Sequence, residues 1–269
     1  MTTNFFHPAL IMIIGALLLP LVRGPFRKAY LFLIPLLTFI DVVYLSQHPG
    51  TYGVVQFLDW ELTFGRVDRL SMIFGFIMSL MAIIGTIYGL HVEDEWQHIA
   101  AWFYVAGSLG VIYCGDFLVL FLFWEMMAFA STFLIWFKKD PESLAAGYRY
   151  ILVHTFGGVI LLLGFVLRYQ ATGDLSFVQL NVQNPELYTW LIMIGLMLNA
   201  AVPPLHSWLP DAYSKATITG SVFMCAFTTK TAIYTLARSC AGFDVLIVLG
   251  VIMAIYGIIY AIMENDVRK

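Results

Sequence analysis

The chain has 269 residues, of which 61% are hydrophobic and only 12% charged, where a soluble globular domain usually carries about 25% charged residues. That composition excludes an ordinary soluble domain and points to a multi-pass membrane protein. The net charge of −3 carries no information about partners, and no basic block suggests nucleic acid.

A spanning helix needs roughly 20 mostly apolar residues, and nine stretches qualify or nearly do. The first, Phe5–Val22, is no cleavable signal, because the first Lys or Arg is Arg23 and the positive leading region is missing. "RGPFRK" leads to Tyr30–Leu45, and "QHPGTYG" is the next turn signal. Asp68 and Arg69 open Leu70–Leu90 and are expected to pair with each other or with water. "HVEDEWQH" holds two His and three carboxylates, and reads as a solvated loop rather than a metal site. Ile99–Tyr113 follows, then Phe117–Phe137, which Asp116 opens. "KKDPES" precedes Tyr148–Leu167. "LSFVQLNVQ" is a short interfacial helix or a loop, and Tyr188–Val202, Ile218–Ala237 and Val245–Met263 complete the series. Cys114, Cys225 and Cys240 are odd in number and far apart, so they read as small apolar residues and not as a disulfide or metal set.

Orientation follows from the positive residues. With the N-terminus outside, the inner segments hold Arg23, Arg27, Lys28, Lys138, Lys139, Arg149, Lys215, Arg268 and Lys269. The outer ones hold only Arg66, Arg69, Arg168 and Arg238. The expectation is N-terminus outside, C-terminus cytoplasmic.

Within the spans, ionisable residues are costly and functional by default. Glu125 is the ninth residue of its span, roughly 12 Å from one end at 1.5 Å per residue. Its bland alternative is a protonated acid bonded to a neighbouring helix. Lys230, flanked by Thr228, Thr229 and Thr231, lies near the middle of the eighth span, too deep for its stem to reach the interface fully. The seventh span is short and runs into "NAAVPPLHSWLPDAYSKA", where Pro203 and Pro204 break the helix and Trp208, Pro210 and Asp211 follow. Such a break marks an ion site or simply a helix ending at the interface. His154 and His206 either relay protons near neutrality or bond a carbonyl.

The residues "FLVLFLFWEMM", "VPPLHSWLPDAYSKA", "TKTAIYTLAR" and "AIMENDVRK" resemble the antiporter-like subunits of respiratory complex I, of membrane hydrogenases and of Mrp-type cation/proton antiporters, with the D-type Mrp protein and the M-type complex I protein nearest. The resemblance covers nearly the whole chain. It implies an all-α polytopic membrane protein of about nine transmembrane helices, one of them discontinuous. It also implies a division into three N-terminal helices (1–97), a first five-helix repeat (98–240) and the first helix of a second, truncated repeat (241–269). Glu125 then matches the family's fifth-helix Glu, Lys230 its eighth-helix Lys, and Asn199 to Asp211 its broken helix. The family's Lys on that broken helix is replaced by Asn199, which cannot titrate, so equal depth, opposite sign and the match to the family make Glu125 and Lys230 an expected electrostatically coupled pair.

The implied function is a proton- or sodium-translocating subunit in a hetero-oligomeric membrane complex, with H+ or Na+ as the transported species and other membrane subunits as partners. The alternatives are a non-pumping structural or fragmentary subunit, or ion-coupled inorganic-carbon uptake. No cofactor is expected, and no redox activity of the chain alone.

Overall fold

The computed structural model describes residues 5–265. Arg268 and Lys269, used in the charge count, lie outside them, as does the end of "AIMENDVRK". Helix α1 (Pro8–Leu18) ends in a 3-10 turn, Leu19–Leu21, and α2 (Phe26–Ser46) follows. Next come two antiparallel strands, β1 (Gly50–Phe57) and β2 (Trp60–Val67). The remainder is helical: α3 (Arg69–Tyr88), α4 (Glu95–Tyr113), α5 (Phe117–Trp136), α6 (Pro141–Thr172), α7 (Leu187–Asn199), α8 (Trp208–Lys215), α9 (Ile218–Ala226), α10 (Thr228–Ser239) and α11 (Asp244–Met263). Helices α2, α3, α5, α6 and α11 are each long and apolar enough to cross a membrane, and α1 and α7 are shorter apolar helices.

Asp68 and Asp116, expected at span openings, are helix caps, and so are Asp94 and Asp140. Asp68, Asp94, Asp116 and Asp140 each accept backbone N–H bonds at the starts of α3, α4, α5 and α6. These satisfy donors that have no partner within the helix. Gly173 ends α6 in the left-handed conformation that a residue without Cβ adopts most readily. Helix α4 is the centre of the bundle, with almost every residue from Ala100 to Tyr113 buried. It packs along α1 and α5. By contrast, α11 has no buried residue.

Two expectations are corrected. The chain is mostly helical, not all-α: β1 and β2 pair from Gly50↔Val67 to Phe57↔Trp60. This hairpin lies over one end of the bundle. The Thr63 N–H donates to Asp116 at 2.6 Å and the Gly115 N–H to the Thr63 carbonyl at 2.9 Å. Arg66 reaches the Phe177 carbonyl at 2.6 Å, so "LSFVQLNVQ" is a loop packed against the same end. Asp68 does not pair with Arg69. Arg238 from α10 clamps it with two bonds of 2.7 Å, and Arg66 lies at 3.1 Å.

Burial alone would raise the Asp68 pKa. The Arg238 and Ser71 hydrogen bonds and the charges of Arg238 and Arg66 outweigh it, holding the carboxyl well below the usual carboxylate range.

Candidate functional site

Glu125 points at α6, where Gly158 leaves room for it: a β-carbon at 158 would overlap the Glu125 Oε1 atom. That oxygen is buried and has no hydrogen-bond partner among the described residues. His154 lies one helical turn before Gly158, on the same face of α6. It is 1% exposed, with its ring 4.1 Å from that of Tyr150 and 4.5 Å from that of Trp208. Neither ring nitrogen has a partner among the described residues.

From α7, the fully buried Asn199 bears on His154, yet both its amide oxygen and nitrogen also lack well-formed bonds. A buried polar group without a partner costs about 1–3 kcal/mol. Three side chains from three consecutive helices share that condition in one place.

The break beside this place is shorter than "Asn199 to Asp211". Helix α7 ends at Asn199, residues 200–207 are non-helical apart from turns, and α8 begins at Trp208. Pro203 and Pro204 sit inside the break. Ala201 adopts a positive φ of 56°, which turns the chain sharply. Trp208 bridges the gap, its Nε1–H donating to the Leu198 carbonyl at 2.9 Å. Pro210 is the third residue of α8, where its missing N–H would have had no intrahelical acceptor. Asp211 is held by Arg149 of α6 at 2.7 and 2.9 Å, so it bolts α8 to α6.

Lys230 and Glu125 are not brought together. The eighth stretch is interrupted at Phe227, between α9 and α10. The Lys230 ammonium turns back to donate to the Cys225 carbonyl at 2.5 Å. Its side chain is exposed in a groove of about 830 Å³ lined by Ile77, Met81, Tyr88, Tyr213 and Val222. No ion pair links it to any acid among the described residues. His206 is separate again. Its ring lies 4.5 Å from that of Tyr256 on α11, in a cavity of about 330 Å³ with Pro203 and Leu209. In "HVEDEWQH", Asp94 caps α4, while His91 and His98 bond the Tyr88 and Val92 carbonyls at 2.9 and 3.1 Å.

Asp41 was not singled out by the spans' charge pattern, although it lies inside α2 and its Oδ2 is buried without a partner among the described residues. The depth rule that marks Glu125 would have found it. Arg149 as the partner of Asp211 is also new, and no local signal exists for it.

Residues 114–269 match the family described as NADH:quinone oxidoreductase/Mrp antiporter, transmembrane. The chain is 28% identical over 269 residues to the A-type Na(+)/H(+) antiporter protein of Alkalihalophilus pseudofirmus, covering 89% of this chain and 33% of that protein. It is 26% identical over 260 residues to the A1-type Na(+)/H(+) antiporter protein of Staphylococcus haemolyticus, covering 87% and 32%. The chain thus spans about a third of the length of these curated relatives. Both relatives are of the A type, where the motifs had suggested the D-type Mrp or the M-type complex I protein. A chain of respiratory complex I from Thermus thermophilus superposes with a TM-score of 0.81 at 20% identity, over 97% of this chain and 60% of that one. A chain of the Mrp complex from Dietzia sp. gives 0.72 at 22% identity, over 88% and 48%. These two likenesses establish the fold.

Proposed function

Because the chain belongs to the NADH:quinone oxidoreductase/Mrp antiporter family of membrane proteins, we propose that it is a proton- or sodium-translocating membrane subunit of a multisubunit cation/proton antiporter or complex I-like assembly. One observation carries this reading. Glu125 against Gly158, His154 one turn earlier on α6, and Asn199 beside His154 each carry buried polar atoms without partners among the described residues, next to a broken helix. Buried polar atoms left without protein partners mark where internal water or a transported ion is held. Non-helical backbone at membrane depth occurs where it lines such a cavity.

In this reading α1 to α6, the α7–α8 pair, the α9–α10 pair and α11 make nine crossings of the cell membrane. The N-terminus is outside and the C-terminus cytoplasmic. Residues 98–240 form a first repeat after the three N-terminal helices (1–97), and 241–269 begin a second. The broken-helix residues shape the cavity, and the other membrane subunits complete the path.

The test is Na+-driven proton movement in everted vesicles of a host without its own exchangers, expressing the intact protein with its partner subunits. Glu125→Gln removes the charge while keeping the shape, and is expected to slow exchange at normal assembly. Normal exchange in both Glu125→Gln and Lys230→Ala would favour the non-pumping alternative.

A further inference from the structure

The N-terminal helices bury a second set of polar atoms, apart from Glu125. His7 caps α1, its Nδ1 accepting the Ala9 N–H at 3.1 Å. A neutral imidazole that accepts at one nitrogen carries its proton on the other, so Nε2–H is a donor. The residue is 4% exposed, and Nε2 has no hydrogen-bond partner among the described residues. The Phe64 carbonyl of β2 bears on the ring, but not in hydrogen-bond geometry. Phe123 stacks on the ring with centroids 5.5 Å apart, and Tyr113 of α4 meets it edge-on at 6.3 Å. The Tyr113 phenol is fully buried and also without a partner among the described residues. It projects so closely onto α3 that a β-carbon at Gly75 would overlap its oxygen.

Two helix registers bring Asp41 of α2 to the same level. Helices α1 and α2, joined by a short turn, run antiparallel, and a β-carbon at Gly15 would press on Ile34. Two turns further along each helix, about seven residues and the same faces, Pro8 stands opposite Asp41, with His7 just before it. Helices α2 and α3 are antiparallel on either side of the hairpin, with Phe39 against Phe76 at 5.0 Å. Half a turn along, about two residues, Asp41 is level with Phe74 and Gly75. The Asp41 Oδ2 is buried and unpartnered, and no ion pair reaches Asp41 among the described residues. Few other charges surround it. Helix α1 carries no titratable side chain after its His7 cap, and the exposed Arg69 opens α3 about a turn and a half away.

We propose that His7, Tyr113 and Asp41 hold an internal water, and that Asp41 is a second proton-binding carboxyl of this chain. The three side chains supply a donor, an acceptor and a group that is both, which is what one buried water needs. The water accepts from the His7 Nε2–H, donates to the Asp41 Oδ2 and shares a bond with the Tyr113 hydroxyl. A proton arriving as hydronium moves to Asp41. One O–H bond breaks on the hydronium, one forms on the carboxylate, and the water is left behind. A metal cation is disfavoured, because His7 turns an N–H and not a lone pair toward the site, leaving two side chains with oxygen to replace a hydration shell. The site stands independently of Glu125 and of the translocating role.

The experiment is infrared difference spectroscopy of the intact protein, with its partner subunits, in lipid. Spectra are recorded as pH rises through the range in which the assembly stays folded. A protonated-carboxyl C=O band should fade with rising pH and be missing from Asp41→Asn. Tyr113→Phe removes only an oxygen that has no partner among the described residues. His7→Asn removes the Nε2–H and keeps a side chain that caps α1. Each takes away a bond that the water passes on to the ionised carboxylate. Each should therefore move the fading of the band up by about one pH unit, the worth of one hydrogen bond. Identical spectra for wild type and Asp41→Asn would overturn the site. So would unmoved fading in both Tyr113→Phe and His7→Asn, since nothing would then join the three residues. Loss of the band on adding Na+ at fixed pH would put a cation there and overturn the proton assignment. None of these outcomes depends on exchange activity, so the translocating role stands or falls separately.

Discussion

Gly158 and Glu125 meet so closely that α6 has no room for a methyl group opposite the carboxylate. Substituting Gly158→Ala should force α5 and α6 apart or expel the Glu125 side chain. The expected cost is about 1–3 kcal/mol, as for other overpacked interiors, with loss of exchange. The adjacent Gly157→Ala is the control, because its β-carbon would meet only the end of the Leu198 side chain, at 3.1 Å. Thermal stability of the purified assembly measures both. Equal effects would show that Glu125 is not the obstacle.

The Glu125 carboxylate was legible because a charge in an apolar run is expensive, and counting residues gives its depth. Counting does not give the direction in which a side chain faces. Equal depth therefore suggested a Glu125–Lys230 pair that the packing does not make. The contact between Tyr104 and Thr228 was illegible for another reason. Both are ordinary residues in a chain of this composition, and only their meeting across two helices distinguishes them.

At the level of elements, the helix starts were written plainly in the sequence as acids before apolar runs, while their tertiary partners were not. Asp68 caps α3 locally, yet it is Arg238, 170 residues on, that fixes its charge. Asp68→Asn leaves the Arg238 guanidinium buried without its counter-charge. The expected loss is about 2–3 kcal/mol, below that of a fully buried pair because the Asp68 side chain is 33% exposed.

The pH dependence has a definite sign. The folded pKa is depressed, so this stabilisation is present above the ordinary carboxylate value and is lost as pH falls through the lower, folded one. The wild-type assembly should therefore keep the Asp68–Arg238 contribution at pH 5, and Asp68→Asn should lack it at pH 5 and pH 7 alike. Melting curves at the two values check this. The hairpin escaped notice because a chain read for long apolar runs treats "TYGVVQFLDWELTFGRV" as a linker, though its two strands alternate. The interruption at Phe227 escaped because its compensating acceptor, Tyr104, is supplied from 124 residues away.

For the molecule as a whole, the fold class followed from composition, and the family from two motifs. The proposed orientation can be checked with single cysteines at two exposed positions on opposite ends, Glu142 and Thr172, in a background where the exposed Cys225 is Ser. Glu142→Cys should react with an impermeant thiol reagent only from the cytoplasmic side, and Thr172→Cys only from outside. The reverse pattern would invert the topology.

Helix α6 has a further consequence at this scale. Arg149 and Arg168 stand 19 residues apart on it, each fixed by an aspartate, Asp211 and Asp174. That spacing is about 28 Å along the axis, close to the roughly 30 Å of a bilayer's hydrocarbon. Between them Gly158 lies almost halfway, and Glu125 rests against it. If the two arginines mark the hydrocarbon boundaries, a charge reaching the Glu125 level from either face crosses about half of the transmembrane voltage. That is about 1.2 kcal/mol per 100 mV. The electrical work of loading this carboxylate is then nearly the same from both sides.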